Sequence, residues 1–245
     1  MSDVRRPTQA VAETRKDMKG DFFHLVNRGV EKRKIFLTGD DYIRFIYNLY
    51  DFNDANNVVL SYYRRRKYSL SDVRRPTAGC KKQELVNILC WCLISNHPHV
   101  FLQEKIDGGV SIFSKKIIGG YTKYFNEANE REGVLFQGGT KIIKVVRESH
   151  FIYLPFYIMA NPLDLIEPNW RQEGIRDFKK AINFLENFKY SSFRDLIGKE
   201  NFPFVIDKKL FYRLFNTDEK KFKKDFVKWL KEHRYKKFDF KRFEL

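Results

Sequence analysis

The 245 residues suit one large domain, or one domain with a smaller appendage. With 47 Lys and Arg against 31 Asp and Glu, the chain carries a formal net charge of +16, which favours a polyanionic partner by neutralising phosphates and releasing counterions. No stretch approaches ~18 consecutive apolar residues, Met1 to Gly20 lacks the apolar run of a secretory signal, and three cysteines are too few for a disulfide scaffold. A membrane span, an export leader and a disulfide-held fold are therefore not expected. A reduced, cytoplasmic setting is.

Residues 1–20 read as disordered. Phe22-Phe23-His24-Leu25-Val26-Asn27-Arg28-Gly29 reads as a first strand ending in a glycine turn. Asp40 or Asp41 is placed to cap a helix from Tyr42 to Tyr50, where apolar residues recur at helical spacing. Residues 54–83 then break the pattern. They hold the basic run Arg64-Arg65-Arg66-Lys67 and a heptapeptide, Ser71 to Thr77, that also stands at Ser2 to Thr8. Both copies read as insertions into exposed chain. The apolar run Val86 to Ile94, the turn Ser95-Asn96 and the alternating run His97 to Gln103 form a hairpin. Cys90 and Cys92 lie in its first arm and read as core residues, because no second pair exists to complete a zinc site. A helix over 110–130 follows, weakened by Gly119-Gly120, then a turn and a strand from Lys141 to Val146. Phe151 to Ala160 reads as a helix that stops near Asn161-Pro162, with Pro155 tolerated best near its first turn. From residue 175 the chain is helical and basic, with 14 Lys and Arg against 7 Asp and Glu over 206–245.

His97 and His99 carry the chemistry. Alternate residues of a strand point to one face, so both imidazoles can converge on one divalent ion. Tyr157 and Asn161, four apart, share a face of a helix. A helix laid on the strand would bring a phenol and an amide oxygen to the same ion, and a phenol beside a metal-held phosphate can cut a nucleic-acid strand by covalent attack. Taken alone, a His-x-His pair more often marks a half-buried strand whose histidines bond backbone carbonyls, and a tyrosine before Asn-Pro usually packs. The joint order of strand, turn, His-x-His, helix, Gly-rich turn, strand and Tyr-x-x-x-Asn-Pro sets this chain apart.

That order resembles the IS200-type transposases of the HUH single-strand nuclease superfamily, in particular the REP-associated tyrosine transposases. The matching stretches are Phe22–Gly29, Asn96-His97-Pro98-His99, Gly133 to Gly138, Tyr157 to Pro162 and Lys189 to Asp195, covering about residues 21 to 200. The resemblance implies that His97, His99 and Asn161 hold Mg²⁺ or Mn²⁺ and that Tyr157 is the nucleophile, forming a 5′-phosphotyrosine and a free 3′-OH in single-stranded or hairpin DNA with palindromic repeats. It also implies a protein near the nucleoid, monomeric or homodimeric. Pro98 departs from the bulky apolar residue usual between the histidines. Proline lacks a ladder donor and prefers edges and bulges, which leaves two outcomes open: the side-chain alternation survives, or the imidazoles are re-aimed, with metal affinity the first property to suffer.

The expected fold is α+β, an antiparallel sheet of four or five strands with helices on one face, as in ferredoxin- and RRM-like cores. Residues 21–170 would form the catalytic core, with an insertion at 54–83, and 171–245 a basic helical extension. Arg28, Arg64, Arg65, Arg66, Lys67, Lys220, Lys221, Lys223 and Lys224 are the candidate phosphate contacts; ordinary surface charge is the alternative for each. His24 either faces the site or packs on its strand. Two other functions compete: a DNA- or RNA-binding protein on the same scaffold with a weakened site, and a replication-initiation or mobilisation nuclease of the same superfamily.

Overall fold

The computed structural model describes residues 19–56 and 82–232, together with Val11, Thr14 and Arg15. Both copies of the heptapeptide, Arg64 to Lys67, Cys80 and most of the expected disordered start lie outside the described residues.

Four antiparallel strands make the sheet: β1 (Phe22–Val26), β2 (Val86–Ile94), β3 (His97–Glu104) and β4 (Lys141–Lys144), in the order β2-β3-β1-β4. The α+β class with a four-stranded antiparallel sheet is as expected. Register fixes which residues share a face. Val26 stands opposite His99 and His24 opposite Phe101, so His97, His99 and Phe101 face the same way as Phe22, His24 and Val26. Leu25, Val100 and Leu102 point the other way and are also fully buried, so both faces of the two central strands are covered.

Pro98 stands in a regular ladder opposite Leu93; the one irregularity between β2 and β3 falls at Ile88/Cys90. The two-residue turn makes Ile94 and His97 the closing pair. Leu93 and Pro98 are then a non-hydrogen-bonded pair, where β2 needs no N–H from residue 98. Beyond Val26 opposite His99 there is no further β1–β3 pair. The ring therefore fits without a bulge and the side-chain alternation survives.

The helices follow the apolar periodicity. α1 (Gly39–Asp51) is capped by Thr38, not by Asp40 or Asp41. Asp41 sits at the third helical position and returns the bond by accepting from the Thr38 N–H at 2.8 Å, a capping box. In α2 (Gly109–Ala128), Gly120 lets the helix approach Phe52, whose ring would lie 2.5 Å from an added Cβ. α3 (Glu148–Ala160) begins earlier than expected, which puts Pro155 two turns inside it. The lost backbone bond is offset by burial, since Phe151, Leu154, Pro155 and Ile158 are all in the core. After Ala160 the chain tightens into a 3₁₀ turn, Asn161–Leu165, with Pro162 in its first turn.

α4 (Trp170–Glu173), α5 (Phe178–Asn187), α6 (Phe193–Leu196), α7 (Lys208–Phe215) and α8 (Glu219–Lys231) complete the described chain. Their aromatic residues join the core. Phe215 of α7 stacks on Phe151 at 5.0 Å, and Phe222, Phe226 and Trp229 of α8 surround Phe156 of α3 at 5.5–5.9 Å. Cys90 and Cys92 are fully buried, and burial pushes both thiols well above their ordinary range. Among the described residues, no helix is long and apolar enough to cross a membrane.

Candidate functional site

The strand alternation that survives Pro98 puts the His97 and His99 rings 4.6 Å apart on one face of β3. α3 crosses that face. Phe151 packs edge-on to Phe22 and Phe101, and two turns on the Tyr157 ring meets His99 edge-on at 5.9 Å. The histidine pair and the tyrosine, 58 residues apart in sequence, therefore meet.

His24 belongs to this cluster. Its Nε2 lies 2.9 Å from Nδ1 of His99, with the rings parallel to within 5°. Both side chains are buried, so no solvent replaces this bond. His97 is half-buried, and its Nδ1 lies 2.7 Å from the Asn96 side-chain oxygen. Nδ1 thus carries the proton, and Nε2 of His97 is left as an acceptor. Nε2 of His99 is buried and has no hydrogen-bond partner. Burial pushes His24 and His97 down to about 3 and His99 well below its ordinary value. The charges of Arg28 and Arg171 press His97 further in the same direction; His99 is held down as well by any proton on His97 or His24 and by the charges of Arg171 and Arg28. All three imidazoles are neutral at pH 7, the form that offers a lone pair to a metal.

Asn161 follows Tyr157 by one turn and is buried. Its side-chain oxygen accepts a hydrogen bond from Nη2 of Arg171 at 2.5 Å. The expected third metal ligand therefore has its oxygen turned to a guanidinium. Arg171 also lies 5.6 Å from the centre of the Tyr157 ring and is held by an ion pair with Asp164. Sequence reading missed Arg171 because nothing in Trp170-Arg171-Gln172-Glu173 marks it. Only the 3₁₀ turn and the short α4 bring it back over the site.

No protein-family profile matches the chain, and no curated protein matches it in sequence. A solved structure of a REP-associated tyrosine transposase bound to a REP hairpin is similar at 13% identity and a TM-score of 0.43, covering 77% of this chain and 86% of that one.

Among the described residues, no three His, Cys, Asp or Glu side chains are grouped to hold a metal ion. His97 and His99 are the residues whose donor chemistry fits one, and further ligands would have to come from neutral oxygens, water or substrate. Of the basic residues expected to meet phosphate, Arg28 lies at the end of β1, where Gly29 N–H bonds the Asn96 carbonyl beside His97. The Gly133–Gly138 segment packs there, Gln137 N–H bonding the Arg28 carbonyl at 2.7 Å. Lys220, Lys221, Lys223 and Lys224 lie on α8, which is packed behind Tyr157 on the neighbouring Phe156. Lys223 pairs with Glu186 at 2.7 Å and Lys221 bonds the Asn216 carbonyl, while Lys220 and Lys224 are exposed. Arg64, Arg65, Arg66 and Lys67 lie outside the described residues. Ser191 and Ser192 serve the fold: Ser192 Oγ accepts from Trp91 N–H, and the segment pairs along the outer edge of β2.

Proposed function

We propose that this protein is a metal-dependent endonuclease and strand transferase acting on single-stranded or hairpin DNA through Tyr157. One observation carries the reading: Tyr157 stands against His99 in a cluster of three neutral histidines, flanked by Arg171 and, at the end of β1, by Arg28. The tyrosine oxygen attacks the scissile phosphorus as the P–O3′ bond breaks. The chain is left joined to the 5′-phosphate, and the departing 3′ oxygen takes a proton as the phenol loses one. His97 and His99 would hold Mg²⁺ or Mn²⁺, which supplies polarisation of the phosphate. Two imidazoles are softer donors than Mg²⁺ usually chooses, so Mn²⁺ should activate well. The net charge of +16 and the exposed lysines of α8 suit the phosphate backbone of such a substrate.

Two observations favour a second reading, a DNA-binding protein that does not cut. Tyr157 is only 3% exposed, and the Asn161 oxygen is engaged by Arg171. The two readings separate on a denaturing gel. Labelled hairpin oligonucleotides with Mn²⁺ should yield a covalent protein–DNA adduct that is lost with chelator; DNA retarded on a native gel, with no adduct on the denaturing one, supports the second.

A further inference from the structure

Arginine has five N–H donors and no acceptor. Whichever amide atom of Asn161 lies 2.5 Å from Nη2 of Arg171 must therefore be the oxygen, so chemistry fixes the orientation of the amide. The nitrogen then occupies the other position. It is buried and has no hydrogen-bond partner, and Nε of Arg171 is a second buried donor without one.

Arg171 is not free to turn away. Asp164 Oδ1 holds its Nη1 and also accepts from Trp170 Nε1 at 2.8 Å, and Trp170 is 1% exposed. The site thus has two chemically distinct ends. At His97 and His99 it presents lone pairs, which suit a cation. At Asn161 and Arg171 it presents N–H groups, which suit an anion. A phosphodiester accompanied by a divalent cation would meet both needs at once.

We propose that Asn161 meets the scissile phosphate as a hydrogen-bond donor to a phosphate oxygen, and that Arg171 is the positioning residue that turns it so. The inference rests on the nucleic-acid reading above and departs from it in removing Asn161 from the metal ligands. An unpaired buried donor is unfavourable, and the phosphodiester supplies its missing acceptor. Asn161, one turn after Tyr157, can grip the phosphate that the phenol attacks.

Two affinities test this on the full-length chain: Mn²⁺ by calorimetry without DNA, and a hairpin-bearing single-stranded oligonucleotide by anisotropy in chelator, where no cleavage occurs. Asn161→Ala should leave Mn²⁺ affinity within about twofold and weaken DNA binding on the order of tenfold. Asn161→Asp, which keeps an oxygen ligand and loses the donor, should weaken DNA binding at least as much. Arg171→Ala frees the amide to flip, so Mn²⁺ should bind more tightly while DNA binds less tightly. Arg171→Lys should recover part of the DNA affinity.

A tenfold loss of Mn²⁺ affinity in Asn161→Ala, with its urea midpoint unchanged, would return Asn161 to the metal and overturn the proposal. So would unchanged DNA affinity in both Asn161 variants. Neither affinity needs catalysis. If the wild-type chain forms no adduct, the nuclease reading falls, and these measurements still decide how Asn161 meets phosphate.

Discussion

Replacing His24 with Phe should disable the metal end of the site without touching a proposed ligand. For His99 to offer a lone pair from Nε2, its proton must sit on Nδ1, and the acceptor there is His24 Nε2 at 2.9 Å. Phenylalanine fills similar space but accepts nothing, and with both positions under 2% exposed no water takes over. The buried Nδ1–H is then left unsatisfied at a cost of about 1–3 kcal/mol, or the proton moves to Nε2 and the lone pair is lost. Either route weakens Mn²⁺ binding by roughly 10- to 100-fold. The assay is the rate of adduct formation against Mn²⁺ concentration. The half-saturating concentration should rise by that factor in His24→Phe, and His24→Gln, which restores an acceptor oxygen, should fall between. An unchanged half-saturating concentration in a His24→Phe protein of near wild-type stability would refute the role given to His24.

Three further outcomes follow from the fold. Gly120→Ala gains helix propensity, yet its Cβ meets the buried Phe52 ring at 2.5 Å; a net loss of about 1–3 kcal/mol is expected in urea unfolding, and a gain would contradict the packing. Burial pushes the Asp195 carboxyl up to about 6. The folded chain keeps this proton to higher pH than the unfolded chain, so the stabilisation is present below about pH 4 and is lost as pH rises through 6. Stability relative to Asp195→Asn should therefore fall by on the order of 3 kcal/mol between pH 4 and pH 7; a pH-independent difference would exclude it. Pro98→Val should leave the adduct rate within about threefold, because the residue sits where β2 needs no N–H; a tenfold gain would show that the ring does misdirect the histidines.

Much of this arrangement was legible in the chain because two periodicities carry it. Period two put His97 and His99 on one face, and the four-residue step from Tyr157 to Asn161 put both on one side of a helix. Pro98 left two outcomes open in the sequence, because the effect of proline depends on which of two alternating pair types it occupies, and only the register shows that. The cap of α1 shifted to Thr38 because Asp41 serves better at the third position, reaching back to the Thr38 N–H. Arg171 was invisible. It reaches the site through a 3₁₀ turn and a four-residue helix, which leave no periodic trace, and its meaning comes from the atom it faces. His24 could not be decided from sequence because packing against His99 and packing in a core use the same strand face.

The most direct test of the central claim is Tyr157→Phe against the wild-type chain, with labelled hairpin oligonucleotides and Mn²⁺. Removing the oxygen and keeping the ring preserves the edge-on contact with His99 at 5.9 Å, so fold and DNA binding should persist. The account predicts a covalent adduct with the wild-type protein and none with Tyr157→Phe. An adduct or cleavage product that survives the substitution would contradict it.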